Sequence, residues 1–262
     1  MDFRKTLLLL LIVWISSECA FVSAQRLKIG QPFIHHFSTD DYNAGIQNWA
    51  FVQDKRGIIY VANNFGVLAY DGVRWTKYPV RNGSKVRDLA IGNDGSIYIA
   101  HQGDFGLLRA NYFGGFEYKS LADSLNRKDR NFDETWKVFK TSNQTYFCSF
   151  DKLFIYEDQK LKTITYESKP EDFFYVNHTL FSNIPGKGLF QLNQDRFELA
   201  TNGDFFKEKE ISGIISESKN RLIIVTSTDG TYLYNGIDVA PWQPLNTHLK
   251  GYELTSRTRL RN

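Results

Sequence analysis

Asp54-Lys55-Arg56-Gly57-Ile58-Ile59-Tyr60-Val61-Ala62, with Gly66-Val67-Leu68 after it, occurs a second time in this sequence as Asp94-Gly95-Ser96-Ile97-Tyr98-Ile99-Ala100, with Gly106-Leu107-Leu108 after it. The second part of the stretch recurs further along the chain, so that its anchor positions are 66, 106, 152, 188 and 230. The steps between these anchors are 40, 46, 36 and 42 residues. A period of about 40 residues is typical of folds in which each unit is one supersecondary element stacked on its neighbours.

Each unit of this repeat is predicted to contain four short β-strands joined by tight turns. In the first unit the strands are predicted at 49–52, 58–62, 66–70 and 75–78. Asp71-Gly72 between the last two is a hairpin signal, because both central residues of such a turn need positive φ. Four antiparallel strands at this period predict a β-propeller blade. A blade is buried on both faces, which accounts for an aromatic content of 15%.

A β-sandwich with similar turns is the alternative fold, and the constant order of glycine and aromatic positions within the units favours the propeller. The fold class is therefore predicted to be all-β, a β-propeller of four-stranded blades. Residues 111–133 interrupt the second unit and are expected to form a surface loop with a short helix around 121–125. Five complete blades are predicted at roughly 46–80, 85–120, 134–165, 172–200 and 210–245, with a partial blade at 251–262.

The N-terminus has the pattern of an export signal. Arg4 and Lys5 precede an apolar run over residues 7–15, and Val22-Ser23-Ala24 offers small residues for cleavage after Ala24. The run is too short for a permanent membrane span. Residues 1–24 are therefore predicted to be a signal peptide, residues 25–262 to be the propeller domain, and the protein to be periplasmic. Cys148 then has no disulfide partner, because Cys19 is removed, and it is expected to pack as a small buried hydrophobe.

Charge and motifs exclude several function classes. The formal net charge is +3, and the tightest basic group, Arg127-Lys128-Asp129-Arg130, contains an acidic residue, so the sequence predicts no nucleic-acid partner. The five histidines lack the spacing of a zinc site. No nucleophile elbow, P-loop or dinucleotide fingerprint is present. The sequence therefore predicts a protein that is not an enzyme and that needs no metal or cofactor.

The repeat resembles that of the two-component regulator propeller family, which forms the periplasmic sensor region of bacterial hybrid histidine kinases and of related transmembrane regulators with a triple-tyrosine domain. The likeness is carried by Asp54-x-x-Gly57-x-x-Tyr60-Val61-Ala62-x-x-x-Gly66-Val67, by its copy around 94–106, and by the opening around Asp41-Tyr42-Asn43-Ala44-Gly45. It implies an incomplete seven-bladed propeller, with the remaining blades and the membrane-anchored output domains of a longer protein as partners. Closure of the ring by residues 31–37 is the alternative to such a truncation.

Propeller geometry predicts where a ligand binds. The loop entering the first strand and the loop joining the second and third strands of every blade lie on one edge of the disc, so their side chains converge around the central opening. Tryptophan faces beside amide, carboxylate and guanidinium groups suit a sugar. The alternative is that the tryptophans pack in the core and the asparagines only complete turns. The candidate ligand-binding residues are Asn48, Trp49, Asn64, Arg87, His101, Gln102, Asp104 and Trp136.

Three functions follow from these observations. The favoured one is a non-catalytic, extracytoplasmic sensing propeller, the input part of a two-component signalling protein, whose ligand the resemblance implies to be a small molecule or an oligosaccharide. A secreted propeller for protein–protein interaction is an alternative. The third is a polysaccharide-active propeller enzyme, which should present paired carboxylates or a Tyr–His–Arg set on one face.

Overall fold

The computed structural model of the protein describes residues 34–244. The chain divides into two compact units, residues 1–37 and 38–262, and only residues 34–37 of the first are described. The predicted signal peptide and the predicted partial blade lie outside the described residues. Between residues 34 and 244, no helix is long and apolar enough to cross a membrane.

Five four-stranded antiparallel sheets follow one another along the second unit, each formed by consecutive strands. This confirms the predicted all-β propeller of four-stranded blades. A short helix, α1 (Thr39–Tyr42), precedes the first sheet, and 3-10 turns lie at Arg81–Gly83, Ala122–Ser124 and Gly203–Phe206. The strands are β1 (Asn48–Gln53), β2 (Ile59–Asn63), β3 (Gly66–Tyr70) and β4 (Trp75–Tyr78) in blade 1; β5 (Val86–Ile91), β6 (Ile97–His101), β7 (Asp104–Ala110) and β8 (Phe116–Ser120) in blade 2; β9 (Thr135–Lys140), β10 (Gln144–Ser149), β11 (Lys152–Glu157) and β12 (Lys160–Thr165) in blade 3; β13 (Asp172–Val176), β14 (Thr179–Ile184), β15 (Gly188–Asn193) and β16 (Arg196–Leu199) in blade 4; and β17 (Ile211–Ser218), β18 (Arg221–Thr226), β19 (Thr231–Tyr234) and β20 (Val239–Pro241) in blade 5.

The repeated Asp-x-x-Gly motif has a local structural cause. The Asp54 carboxylate accepts hydrogen bonds from the backbone N–H groups of Arg56 (2.8 Å) and Ile58 (3.0 Å), which lie in the turn between β1 and β2. Gly57 supplies the positive φ of 87° that closes this turn. The motif therefore fixes the hairpin that aligns the first two strands of the blade.

The blades are held together by side chains that alternate along the middle strands. Ile97 and Ile99 of β6 are buried against blade 1, whereas Tyr98 and Ala100 are buried against blade 3. In β13, Phe173 packs toward blade 3 and the adjacent Phe174 packs toward blade 5. Successive residues of a strand point to opposite faces, so the apolar runs of the repeat fill two interfaces at once. The aromatic residues of the repeat fill these interfaces between blades.

Within residues 34–244, four buried hydrophobic clusters each join two consecutive blades. In the cluster between blades 2 and 3, Phe105 packs against Phe147 and Phe154 in tilted arrangements, at centroid distances of 4.5 and 4.7 Å. Burying each of these rings contributes about 1.5–3 kcal/mol. Cys148, which is free and buried, packs in the next cluster, between blades 3 and 4.

The first strands lie innermost. β1 contacts β5, β5 contacts β9, and β13 contacts β17, so the first strands of these neighbouring blades approach one another. The edge of the disc at which these strands begin also carries the loops between second and third strands. This edge is the one at which the sequence analysis expects a ligand.

A glycine within β7, Gly106, is required by a close approach of the backbone. A Cβ atom on Gly106 would lie 2.2 Å from the carbonyl oxygen of Lys119 in the neighbouring strand β8. The corresponding glycine of blade 4, Gly188, would place a Cβ atom 2.2 Å from the carbonyl oxygen of Gly203. The glycine of the repeat is therefore a packing requirement at both positions, and at Gly188 it also supplies a positive φ of 111°.

We expect Gly106→Ala to destabilise the fold by about 3 kcal/mol, because strand β8 must move away from the new methyl group. For a domain of this size that corresponds to a fall in Tm of roughly 6–12 °C. Gly115→Ala is the matched control, since its nearest contact would be an ordinary 3.5 Å to the side chain of Asn111. Equal melting temperatures for the two variants in circular dichroism would contradict this account.

A carboxylate on the innermost strand of blade 2 bridges to blade 3. Asp88 accepts a hydrogen bond of 2.9 Å from the backbone N–H of Val138 in β9. The pKa of Asp88 is raised from 3.8 to about 6, mainly by burial and to a smaller extent by the charge of Asp172, against the opposing effects of Lys137 and of the backbone N–H groups of Val138 and Leu89. The raised pKa means that the folded protein holds the Asp88 proton more tightly than the unfolded chain does.

We therefore expect Asp88 to make stability fall as pH rises. From about pH 4 to pH 6 the unfolded chain loses this proton and the folded state keeps it, so the free energy of unfolding should drop by about 3 kcal/mol and level off above the folded pKa. His101 contributes with the opposite sign, because burial lowers its pKa from 6.5 to about 4. The difference in the free energy of unfolding between wild type and Asp88→Asn, measured by urea unfolding at each pH, isolates the contribution of Asp88. A difference that does not vary with pH would contradict this prediction.

Candidate functional site

A β-bulge near the start of the innermost strand occurs in four of the five described blades. In β1 the pairing with β2 passes from Asn48 to Ala50, and in β5 the pairing with β6 passes from Val86 to Asp88. β9 and β17 have the same irregularity. A bulge leaves its extra residue outside the ladder and re-aims that side chain. The four residues bypassed are Trp49, Arg87, Trp136 and Ser212.

Three of these bulged residues, from successive blades, meet in one cluster. The guanidinium carbon of Arg87 lies 4.1 Å from the ring centroid of Trp49 and 4.4 Å from that of Trp136. The two indole rings are 6.3 Å apart in an edge-to-face arrangement, and Trp136 stacks on Phe150 at 5.4 Å. Cation–π attraction of this kind stabilises each ring contact by about 0.5–2 kcal/mol. The structure thus brings together three of the residues predicted from the sequence.

Glu134 completes the cluster. Nη2 of Arg87 donates to both carboxylate oxygens of Glu134, at 3.0 and 3.3 Å, and the two side chains are only 8% and 7% exposed. Nε of Arg87 is buried and has no acceptor among the described residues. We call Trp49, Arg87, Glu134 and Trp136 the axial cluster. Glu134 is not among the residues predicted from the sequence, although it directly precedes Thr135-Trp136 after the 111–133 insertion.

One asparagine of the predicted site, Asn64, orients Trp49 of the axial cluster, whereas Asn48 bonds to a residue outside the cluster. The indole N–H of Trp49 donates to Oδ1 of Asn64 at 2.8 Å, and Asn64 in turn donates to the side chain of Gln47 at 2.9 Å. Asn48 accepts a hydrogen bond of 2.7 Å from the buried Asn63. Trp49 remains 42% exposed, so its orientation is fixed while part of its ring is open to solvent.

His101 and Asp104 belong to a separate, buried network in blade 2. Nε2 of His101 lies 2.7 Å from the hydroxyl of Tyr118, and Nδ1 lies 2.7 Å from Oγ of Ser84. Asp104 accepts a hydrogen bond of 2.7 Å from Oγ of Ser120. The imidazole of His101 is fully buried. The structure therefore turns these two side chains toward other residues of blade 2 rather than toward the axial cluster.

Arg81 lies at the exposed side of this network. Its Nε is 3.6 Å from Oδ2 of Asp104, and its guanidinium also pairs with Asp123 of the insertion. Burial and the Asp104 charge raise the pKa of the Tyr118 hydroxyl. Gln102, the remaining predicted residue, is exposed and uses its backbone N–H to bind the carbonyl of Lys85 at 3.0 Å.

Comparison with known proteins identifies the fold. No family model matches this sequence, and no match was found among curated protein sequences. Virginiamycin B lyase from Staphylococcus aureus is 12% identical with a TM-score of 0.56, and the match covers 77% of this chain and 70% of the lyase. The extracellular domain of the proposed hybrid two-component system BT4673 from B. thetaiotaomicron is 15% identical with a TM-score of 0.53, over 76% of this chain and 28% of that chain.

A third similar structure is PorZ, a surface component of the type-IX secretion system of Porphyromonas gingivalis, which is 12% identical with a TM-score of 0.53 over 72% of this chain and 27% of PorZ. The prediction that this protein is not an enzyme is wrong, because the proteins that share its fold include a lyase. The same comparisons include extracellular and surface proteins. At these identities the likeness establishes one property of this chain, its β-propeller fold.

Proposed function

We propose that this protein is an exported, ligand-binding propeller that serves as the input domain of a signalling protein, and that its ligand binds at the axial cluster. The observation that carries this proposal is the convergence of Trp49, Arg87 and Trp136, each placed by a bulge in a different blade. Bulges next to binding sites re-aim side chains at the cost of ladder hydrogen bonds. Three bulges that deliver side chains to one point are hard to explain by packing alone.

The chemistry of the cluster suits a carbohydrate. The part-exposed ring of Trp49 offers an apolar face on which the C–H groups of a sugar ring can stack. Arg87 and Glu134 place a donor and an acceptor beside that face. Ligand sites generally combine an apolar wall with a few fixed polar groups, and Asn64 keeps the wall in place through the indole N–H.

A ligand at this position would contact three blades, because Trp49, Arg87 and Trp136 belong to blades 1, 2 and 3. Binding would therefore favour one relative placement of these blades over others, and a ligand shifts an equilibrium by its differential affinity for the two states. In our proposal this change in the relative placement of the blades is transmitted to the remaining blades and membrane-anchored output domains of a longer protein. Export by the predicted signal peptide would place the site in the periplasm.

A polysaccharide-active enzyme is the second candidate function, and one observation favours it. Arg81, His101 and Tyr118 form the Tyr–His–Arg set that such an enzyme should present. His101 is fully buried, so this function requires the 3-10 turn at Arg81–Gly83 to open. Release of new reducing ends from polysaccharides, lost in Tyr118→Phe and retained in Trp49→Ala, would support it.

We expect Trp49→Ala to weaken oligosaccharide binding by at least about tenfold, because the stacking face is lost. Asn64→Ala should weaken binding by about threefold to fivefold, since the ring stays but one hydrogen bond that orients it is removed. Isothermal titration calorimetry, with tryptophan fluorescence as a second readout, measures both effects.

Tyr112→Ala is the matched control for these variants. Tyr112 is a fully exposed aromatic residue in the β7–β8 turn, on the opposite edge of blade 2. It should bind as the wild type does. Unchanged affinity in all three variants would refute the proposed site.

A further inference from the structure

The charges of the axial cluster cancel within the cluster. Arg87 and Glu134 pair directly, at 3.0 Å between Nη2 and Oε1, and both side chains are more than nine-tenths buried. Each is the other's only ion-pair partner within residues 34–244. Buried charges are stable only when they are paired, so the cluster offers a ligand no net charge to neutralise.

The hydrogen-bonding groups of the cluster are restricted to one plane. Indole rings lie over Arg87 at 4.1 and 4.4 Å, and a guanidinium donates its hydrogen bonds only in its own plane. The Nε–H group lies in that plane and has no acceptor in the described chain. Glu134 lies at the same edge, where its oxygens accept from Nη2 and keep further lone pairs.

A donor and an acceptor side by side match a pair of hydroxyl groups. In the bound state one ligand hydroxyl accepts from Nε–H of Arg87, which requires this buried group to become accessible on binding, while a neighbouring hydroxyl donates to Glu134. Hydroxyl groups both donate and accept, so a neutral polyol satisfies both partners without adding charge. A carboxylate can only accept, and it would lie close to the Glu134 carboxylate in a poorly solvated site where like charges repel strongly.

We infer that the axial cluster binds a neutral sugar and rejects the corresponding uronic acid, and that Glu134 sets this selectivity. The inference rests on the proposed function and narrows its ligand class. It assigns a specificity role to a residue that the sequence analysis did not select. Specificity of this kind arises from an unfavourable contact with the wrong ligand as much as from favourable contacts with the right one.

The test uses matched pairs of oligosaccharides on the full chain: oligomers of galactose, glucose and mannose against those of galacturonate, glucuronate and mannuronate. Calorimetry at constant ionic strength should show at least one neutral oligomer binding about tenfold or more tighter than its uronate. In Glu134→Gln that ratio should fall to about threefold or less, because the repelling charge is gone while an acceptor oxygen stays.

A second variant protects the test against misfolding. Glu134→Gln leaves Arg87 buried without a counter-charge, so the double variant Arg87→Gln/Glu134→Gln, which has no buried charge, is measured beside it after a folding check by circular dichroism. The ratio should fall in the double variant too. The control Tyr112→Ala should keep the wild-type ratio.

The outcomes separate the two proposals. A uronate that binds more tightly than its neutral counterpart, with binding lost in Trp49→Ala, overturns the inference and leaves the proposed function standing. A wild-type ratio that persists in both Glu134 variants also overturns the inference. If no oligomer of either class binds in a Trp49-dependent way, the proposed function fails and the inference fails with it.

Discussion

The structure depends on the burial of both faces of each blade's middle strands. Ile97 and Tyr98 are neighbours in β6, yet one packs against blade 1 and the other against blade 3. Because successive side chains of a strand point to opposite faces, a strand that is apolar at every position fills the interfaces with both neighbouring blades. This requirement explains why the strands of the repeat are continuous in hydrophobicity, why aromatic residues are frequent, and why Gly106 must lack a side chain where β8 passes close to it.

The same constraint determines where polar groups can be placed. Middle strands have no free face, so functional side chains must come from strand ends and loops at an edge of the disc. The innermost strands β1, β5 and β9 each have a bulge near their first residues. The bulges leave Trp49, Arg87 and Trp136 outside the strand pairing, so that these side chains can point to the edge. Asp88, the residue after the bulge in β5, instead stays in register and bonds to Val138 of the next blade. Adjacent residues of β5 thus have different roles: Arg87 belongs to the axial cluster, and Asp88 joins blade 2 to blade 3.

Much of this architecture was predictable from the sequence, because the repeat carries its own turn signals and its own periodicity. The residues Trp49, Arg87 and Trp136 were also predictable, since position within the repeat places them at one edge. Their contact depends on the bulges, and a bulge has no reliable sequence signal. Glu134 was missed because it joins the site only through its ion pair with Arg87, which is 47 residues away in the chain. His101 was selected for its chemistry, but its partners Ser84 and Tyr118 become neighbours only in the folded blade.

The error about enzymatic function has a related cause. Motif inspection detects catalytic groups that are close in sequence, whereas a propeller assembles its sites from residues that are distant in the chain. Arg81, His101 and Tyr118 are such a set, formed by blade 2 and the turn before it, and the axial cluster is another across three blades. The two sets differ in a physically decisive way. His101 is fully buried and already bonded to Ser84 and Tyr118, whereas Trp49 of the axial cluster is 42% exposed. A ligand can reach the exposed part of Trp49 without breaking an existing hydrogen bond, which is why the axial cluster, rather than the histidine, is the stronger candidate site in this fold.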